Sequence, residues 1–554
     1  MGKIKFLTCF LIGIAFSWNA AAQDRYAVFY KFKPQESLSL SQPSEFLSQK
    51  ALNRRSREAV APDSLDLPVS QKYVDAVSEK ATYILYSSKW FNATLLVTDE
   101  AGVAELEALP FVDRVELVGR GFVPNPNAKI EANSNIAGKS KLRMPTSESA
   151  RVLATNEETY DFQNSLLGID KMHEEGYTGK GVTIAVFDAG FPGANTASPL
   201  VHLQTNGQII ATRDFVRPWN QNVYSDNQHG TNVLSLIASK EPGKMLAGAP
   251  DATYILAMTE EIATEYWVEE YNWVRAAEYA DSLGTDIISS SVGYWDFDDP
   301  TMNYTVADLD GETTIIARGA TIAASKGILI VNSAGNSGPS QSTLNSPSDA
   351  KGILAIGSVN KELNVSSFSS RGPTGDGRIK PDLAAFGDGT ALIRSTGDVG
   401  FSNGTSFSAP QISAMAAGLW GAKPEWTKDE LIESLLNSGT QASEPDNMLG
   451  FGIPNFLAAL YGEILAVDDN EEVVSWKVYP NPILSDELNI HFGTSLRAEF
   501  SLIDLNGRTL QSETLNRSTV QEPFRILLEG VKSGIYVIQM HDSTLIKRSK
   551  LIRQ

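Results

Sequence analysis

Between residues 160 and 460, short apolar runs alternate with stretches of helical pattern, and this alternation restricts the fold more than any other feature of the chain. The runs 182–187, 253–258, 286–290, 327–331 and 353–359 read as strands, and the segments 271–283 and 312–325 between them read as helices. Strands separated by helical crossovers pair in parallel, and the crossovers cover the faces of the sheet they leave. The expectation is an α/β domain, a mostly parallel sheet with helices on both faces.

The flanking segments have other textures. At about 150 residues per domain, a chain of 554 has room for three or four units. Residues 25–118 give an alternating strand (Tyr26, Val28, Tyr30 and Phe32 on one side), a charged helix around 45–57 and a short helix near 71–78. Strands 83–86 and 91–97 follow, parted by Ser87-Ser88-Lys89, then a helix 99–109 with Thr98 as its expected N-cap and Pro110 as its stop, then a strand 112–118. This is a split βαβ order, so a ferredoxin-like α+β unit is expected. Residues 124–156 are polar, rich in Ser, Asn and Lys and free of aromatics, which marks a linker open to proteolysis. Beyond the acidic stretch Asp468-Asp469-Asn470-Glu471-Glu472, strands at 477–479, 488–492, 499–503 and 535–540 and turns such as Leu505-Asn506-Gly507 suggest a small all-β sandwich. The resulting division is 1–22, 23–120, 121–158 (linker), 159–462, 463–474 (acidic linker) and 475–554.

The first 22 residues are not part of any of these units. A basic start with Lys3 and Lys5, an apolar run over 6–18 and the exit Ala20-Ala21-Ala22-Gln23 are the parts of a secretory signal peptide cut after Ala22. A membrane anchor is the alternative, although the run is short of the roughly 20 apolar residues that span a bilayer. Cys9, the single cysteine, lies in this segment, so disulfide staples, a thiolate zinc cluster and a two-cysteine redox centre are excluded. With 66 acidic against 46 basic side chains the net charge is -20, which argues against nucleic acid as a partner.

Three polar groups stand where an open α/β sheet holds its ligands, at strand ends and helix starts. Asp188 follows the apolar run 182–187 and precedes Ala189-Gly190. His229, one of five histidines, lies in Gln228-His229-Gly230-Thr231 before an apolar helix at 233–238. Ser406 lies in Asn403-Gly404-Thr405-Ser406-Phe407-Ser408-Ala409-Pro410, ahead of a small-residue helix at 412–420, with Pro410 expected in its first turn. Taken singly, the serine reads as a helix cap and the histidine as a surface residue. Ser408 stands where the G-x-S-x-G elbow would need glycine.

Together, these motifs resemble those of subtilisin-like serine proteases, the subtilases, in the chain order Asp, His, Ser. The resemblance covers residues 166–460 and includes Val186-Phe187-Asp188-Ala189-Gly190, His229-Gly230-Thr231, Ser333-Ala334-Gly335-Asn336-Ser337-Gly338, Phe368-Ser369-Ser370-Arg371-Gly372-Pro373 and the Ser406 segment. It implies that Ser406 is the nucleophile, His229 the general base, Asp188 its orienting carboxylate and Asn336 the oxyanion-hole amide. It further implies that Ser291, Val292 and Gly293, with Ala334 and Gly335, bind substrate, and that residues 345–348 wall the P1 pocket. Two positions depart from the family pattern: Ala189 replaces a common hydroxyl residue and Asn232 a common second histidine. No cofactor is implied for the chemistry. Asp308 and Asp310 are the candidates for a structural calcium, with a solvated acidic loop as the alternative.

The flanking units then resemble a subtilase propeptide, which would assist folding and block the cleft, and the sorting domain of the bacterial type IX secretion system. The implied partners are polypeptide substrates, the chain's own propeptide and the secretion machinery, for a monomer released or attached outside the outer membrane of a Gram-negative cell. A non-catalytic surface protein on the same scaffold and a serine esterase are the competing readings.

Overall fold

A computed structural model describes residues 23–122 except 36–37, residues 156–462, and residues 477–553 apart from 484, 493–494, 505–507, 520–521 and 543–545. The expected signal peptide with Cys9, the linker 124–156 but for its last residue, the acidic stretch at 468–472 and the turn at 505–507 lie outside the described residues. The chain divides into two compact units, residues 1–465 and 466–554.

The centre of the first unit is a seven-stranded sheet. Its order is Leu383–Phe386, Leu354–Val359, Leu329–Ser333, Ile287–Ser290, Thr183–Asp188, Thr253–Met258, Ile209–Asp214, with every neighbouring pair parallel. Side chains alternate between two cores, as the period of a strand requires. Ile184 and Val186 join Leu256, Ile287 and Val331 under the helices His229–Ala238 and Thr405–Ala422, while Ala185 and Phe187 join Ile255, Ile288 and Ile330 under Trp267–Leu283 and Ile315–Ser325. The five expected strands are present within two residues of their expected ends. The two outer strands, Ile209–Asp214 and Leu383–Phe386, escaped the sequence reading because the first is a half-exposed edge and the second only four residues long.

The N-terminal unit is a four-stranded antiparallel sheet ordered Tyr83–Ser88, Ala93–Thr98, Gln23–Tyr30, Val112–Phe122, with the helices Gln49–Arg57, Gln71–Ser78 and Glu100–Glu107. Asp99, not Thr98, caps the last helix, accepting from the Gly102 N–H at 2.9 Å. Thr98 instead donates to the Lys80 carbonyl. One face of this sheet, including Ala27, Phe29, Leu95 and Val118, packs on Val268, Tyr271 and Ile315 of the central domain. The helix Gln49–Arg57 adds a charged contact: Arg54 and Arg55 are buried with Asp281, Arg55 also pairs with Asp66 at 2.9 Å, and Lys326 reaches Asp66 at 3.0 Å.

The second unit is all-β. One sheet holds Lys477–Tyr479, Glu487–His491 and Phe524–Leu527; the other is ordered Thr509–Asn516, Arg497–Asp504, Gly534–His541, Ile546–Arg553. Leu488, Ile490, Phe500, Leu502, Ile538 and Met540 fill the core between alternating polar positions. The basic tail is itself a strand, paired along its whole length with Gly534–His541.

Candidate active site

Asp188 ends Thr183–Asp188, an interior strand of the sheet flanked by Thr253–Met258 and Ile287–Ser290. The strand is buried throughout, so its terminal carboxylate is nearly shut off from water. The Ala189 N–H donates to Oδ1 at 2.7 Å. His229 opens the helix His229–Ala238, its N–H donating to Asn227 Oδ1 at 3.0 Å. Its Nδ1–H lies 2.8 Å from Asp188 Oδ2 and 2.9 Å from Oδ1, and its ring packs 5.5 Å from that of Phe407. Burial disfavours the imidazolium; the Asp188 carboxylate, by charge and hydrogen bond, and Glu260 by charge outweigh it, so the His229 pKa is raised. Glycine at 230 is what allows the approach, since a Cβ there would meet the Gly190 carbonyl at 2.3 Å and Asp188 Cβ at 2.9 Å.

Ser406 is the second residue of the helix Thr405–Ala422. The helix is longer than expected, and Pro410 lies in its second turn rather than its first. A proline there has no N–H for the carbonyl four residues back. That carbonyl belongs to Ser406, and it accepts from Ser291 Oγ at 2.9 Å, while Ser406 Oγ donates to the Ser291 carbonyl at 3.3 Å. Among the described residues no hydrogen bond joins Ser406 Oγ to His229.

The N-cap of the serine helix is Gly404, which has no side chain to satisfy the first N–H groups. Asn336 does so from another loop: its Oδ1 accepts from the Thr405 N–H at 2.9 Å and from Thr405 Oγ1 at 3.0 Å. The oxygen being committed, the amide NH2 is left without a partner among the described residues, beside the N-terminus of the serine helix. Thr405 Oγ1 also accepts from the Gly335 N–H at 3.2 Å. Gly335 has φ 113°, and a Cβ there would meet Asn345 Oδ1 at 2.6 Å. Thr405 and Ser291 were missed as anchors in the sequence; the signal for Ser291 is Pro410, four residues after the serine.

The backbone of Val292, Gly293 and Ala334, expected to bind substrate, is in part occupied. The Val292 carbonyl accepts from Asn332 Nδ2 at 3.1 Å, that of Gly293 from Asn345 Nδ2 at 3.4 Å, and Ala334 bonds Ile356 and Asn345 through its N–H and carbonyl. Tyr294 and Ser346 exchange two backbone hydrogen bonds of 2.9 and 3.0 Å, tying residues 291–293 to the wall 345–348. Asn232 Oδ1 is buried with no hydrogen-bond partner among the described residues. Asp308 accepts from Thr305, Asp310 from Glu312 and Thr313, and among the described residues no three His, Cys, Asp or Glu side chains gather to hold a metal ion.

Comparison with known proteins agrees with this arrangement. Residues 179–452 match the subtilase family, residues 25–134 the peptidase S8 propeptide domain of Bacteroidota, and residues 477–554 a secretion system C-terminal sorting domain. The chain is 29% identical to the subtilisin-like protease SBT6.1 of Arabidopsis thaliana, over 60% of this chain and 32% of that one. It is 26% identical to subtilisin E of Bacillus subtilis, over 67% of this chain and 81% of that one. A solved structure of MycP1 from Mycobacterium smegmatis matches with a TM-score of 0.45 and 22% identity, over 61% of this chain and 91% of that one. The chain thus spans about a third of the plant relative and four fifths of the bacterial one. By its central domain, between an S8 propeptide domain and a type IX sorting domain, it belongs to the subtilase family of serine peptidases.

Proposed function

We propose that the chain is a secreted serine endopeptidase, made as a precursor and acting through Asp188, His229 and Ser406. The observation that carries this reading is the 2.8 Å bond from His229 to Asp188, with Ser406 and the free amide of Asn336 at one helix N-terminus. Ser406 Oγ leaves the Ser291 carbonyl, gives its proton to His229 Nε2 and attacks the scissile carbonyl. Asn336 Nδ2 and the Ser406 N–H donate to the resulting oxyanion. The imidazolium, held by Asp188, returns the proton to the leaving amine, and an acyl-enzyme remains. Water then repeats the sequence, its proton passing through His229, and frees the acid and Ser406. Residues 291–293 pair with the substrate backbone as an added strand, with Ala334 and Gly335 opposite. No cofactor takes part in these steps. Calcium at Asp308 and Asp310 is a structural proposal alone, to be read as a rise in Tm on adding calcium chloride.

The N-terminal unit holds the precursor inactive until residues 124–156 are cut, and the sorting domain directs passage across the outer membrane. A fluorophosphonate probe is expected to label Ser406 once the propeptide is removed, and Ser406→Ala to abolish both labelling and peptide cleavage. Absence of label would favour a non-catalytic surface protein; cleavage of esters but not of unfolded protein would favour an esterase.

A further inference from the structure

One buried acid next to the triad has no part in the steps above. Glu260 lies two residues beyond the strand Thr253–Met258, whose last residue pairs with Asp188, and the intervening Thr259 N–H donates to the Asp188 carbonyl at 3.0 Å. Its side chain is 8% exposed. Oε1 accepts from the Tyr294 hydroxyl at 2.6 Å and from Thr259 Oγ1 at 2.8 Å, and no Lys or Arg bonds to it among the described residues. The groups around it are acidic or phenolic: Asp188 from the strand Thr183–Asp188, Glu265 from its own loop, Tyr294 from the substrate edge, and Glu269 from the helix Trp267–Leu283. Glu261, next in sequence, gives its N–H to Glu269 and pairs at 2.7 Å with Arg25 of the N-terminal unit. His229 is the one cationic group of the triad that feels the Glu260 charge.

Tyr294 is the other half of the observation. It is buried, stacks on Phe297 at 6.1 Å, and its backbone ties the edge 291–293 to Ser346. Its hydroxyl reaches behind that edge to Glu260, so one carboxyl touches the frame that fixes the substrate strand and lies beside the Asp188–His229 pair. An acid retained here without a basic partner carries a cost that a purely structural position does not require.

We propose that Glu260 is a positioning residue of this peptidase: through Tyr294 it anchors the edge that pairs with substrate, and it places a proton-dependent charge beside Asp188 and His229. The inference rests on the peptidase reading. Burial pushes the Glu260 carboxyl up to about 8, against the hydrogen bonds from Tyr294 and Thr259, with Asp188 adding to the rise. Below that pH the group is neutral; above it, the added negative charge favours the imidazolium and delays the loss of the His229 proton. Glu260→Gln keeps an oxygen for Tyr294 and removes the charge.

The test uses protease matured from the full chain, with melting curves as a check on folding. Glu260→Gln is expected to leave the acid limb of the kcat/KM profile in place, since the carboxyl is neutral there, and to remove the step in kcat/KM that wild type shows near pH 8 as the carboxyl ionises, with KM unchanged. Tyr294→Phe is expected to raise KM about fivefold for extended peptides, which use the edge, and to leave that of a single-residue amide unchanged. Superimposed pH profiles for wild type and Glu260→Gln overturn the electrostatic part, and an equal change in KM for short and long substrates overturns the anchoring part. Where Glu260→Gln does not fold, Tyr294→Phe decides the anchoring part, and the presence or absence of a step near pH 8 in the wild-type profile decides the electrostatic part. A wild-type protein not labelled by fluorophosphonate at Ser406 would end the peptidase reading itself, an outcome distinct from these.

Discussion

Pro410 illustrates how much a single residue arranges here. By withholding an N–H it frees the Ser406 carbonyl, which the Ser291 hydroxyl takes, and the substrate edge and the nucleophile are joined as a result. Asn336 works by the same economy of donors: its oxygen caps a helix that begins on glycine, and its amide nitrogen is thereby left free near the helix start. Asn336→Ala is expected to lower kcat by about 10²–10³ with little change in KM, the order found for loss of one such donor in subtilisin itself; steady-state kinetics on an extended peptide measure it. The raised pKa of His229 sets the pH range. General-base action needs the neutral ring, so the acid limb of kcat/KM is expected above the ordinary imidazole value of about 6.5, and a limb below it would contradict the Asp188 contact as drawn. The same shift contributes folding stability that is complete below the unfolded value and is lost as pH rises through the folded one.

At the scale of elements, the triad depends on how closely the histidine helix meets the strand Thr183–Asp188. Gly230→Ala is expected to lower kcat/KM by more than about a hundredfold, since a displacement near 1 Å at a reacting group costs that order, while circular dichroism retains the wild-type spectrum. Wild-type turnover in this variant would show that the strand and helix part without consequence. The elements themselves were largely legible. Five of the seven strands were found from apolar runs, because strands buried on both faces have no polar positions to obscure them. Ile209–Asp214 was hidden by the opposite circumstance, an edge with half-exposed, mixed side chains. The serine helix was read seven residues short at its start, since the small polar residues from Thr405 onward carry no amphipathic signal.

Across the whole molecule, the first unit is held by a buried network of charge between its N-terminal and central parts. Arg55 faces both Asp66 and Asp281, and the side chains are shut from solvent. Arg55→Ala would remove the side chain that bridges the two carboxylates, leaving Asp66 to Lys326 and Asp281 to Arg54, at about 1.5–3 kcal/mol for the lost charged hydrogen bonds. The expected result is a lower Tm and poorer recovery of the Ser406→Ala precursor, with Arg55→Lys restoring part of both. Burial works against ionisation of Asp66, but the Arg55 hydrogen bond and charge and the nearby Lys326 hold its carboxyl well below the usual range. Its contribution is therefore present above the ordinary carboxylate value and is lost only as pH falls toward the depressed one. After the linker of the Ser406→Ala chain is cut by an added protease, the N-terminal fragment is expected to co-elute with the central domain at pH 5 as at pH 8; release at pH 5 alone would show that another group governs the hold.

The sequence by itself determined the kind of chain this is. Apolar periodicity gave the layered α/β centre, and the residues around Asp188, His229 and Ser406 were visible because motifs at strand ends and helix starts are local. What only the tertiary structure decided are the distances and the unlocal partners: the Asp188–His229 bond, the capping of Thr405 by Asn336, the exchange between Ser291 and Ser406, and the meeting of Arg55 with Asp281. Each joins residues far apart in the chain, and whether a buried polar atom finds its partner depends on packing that no local pattern contains.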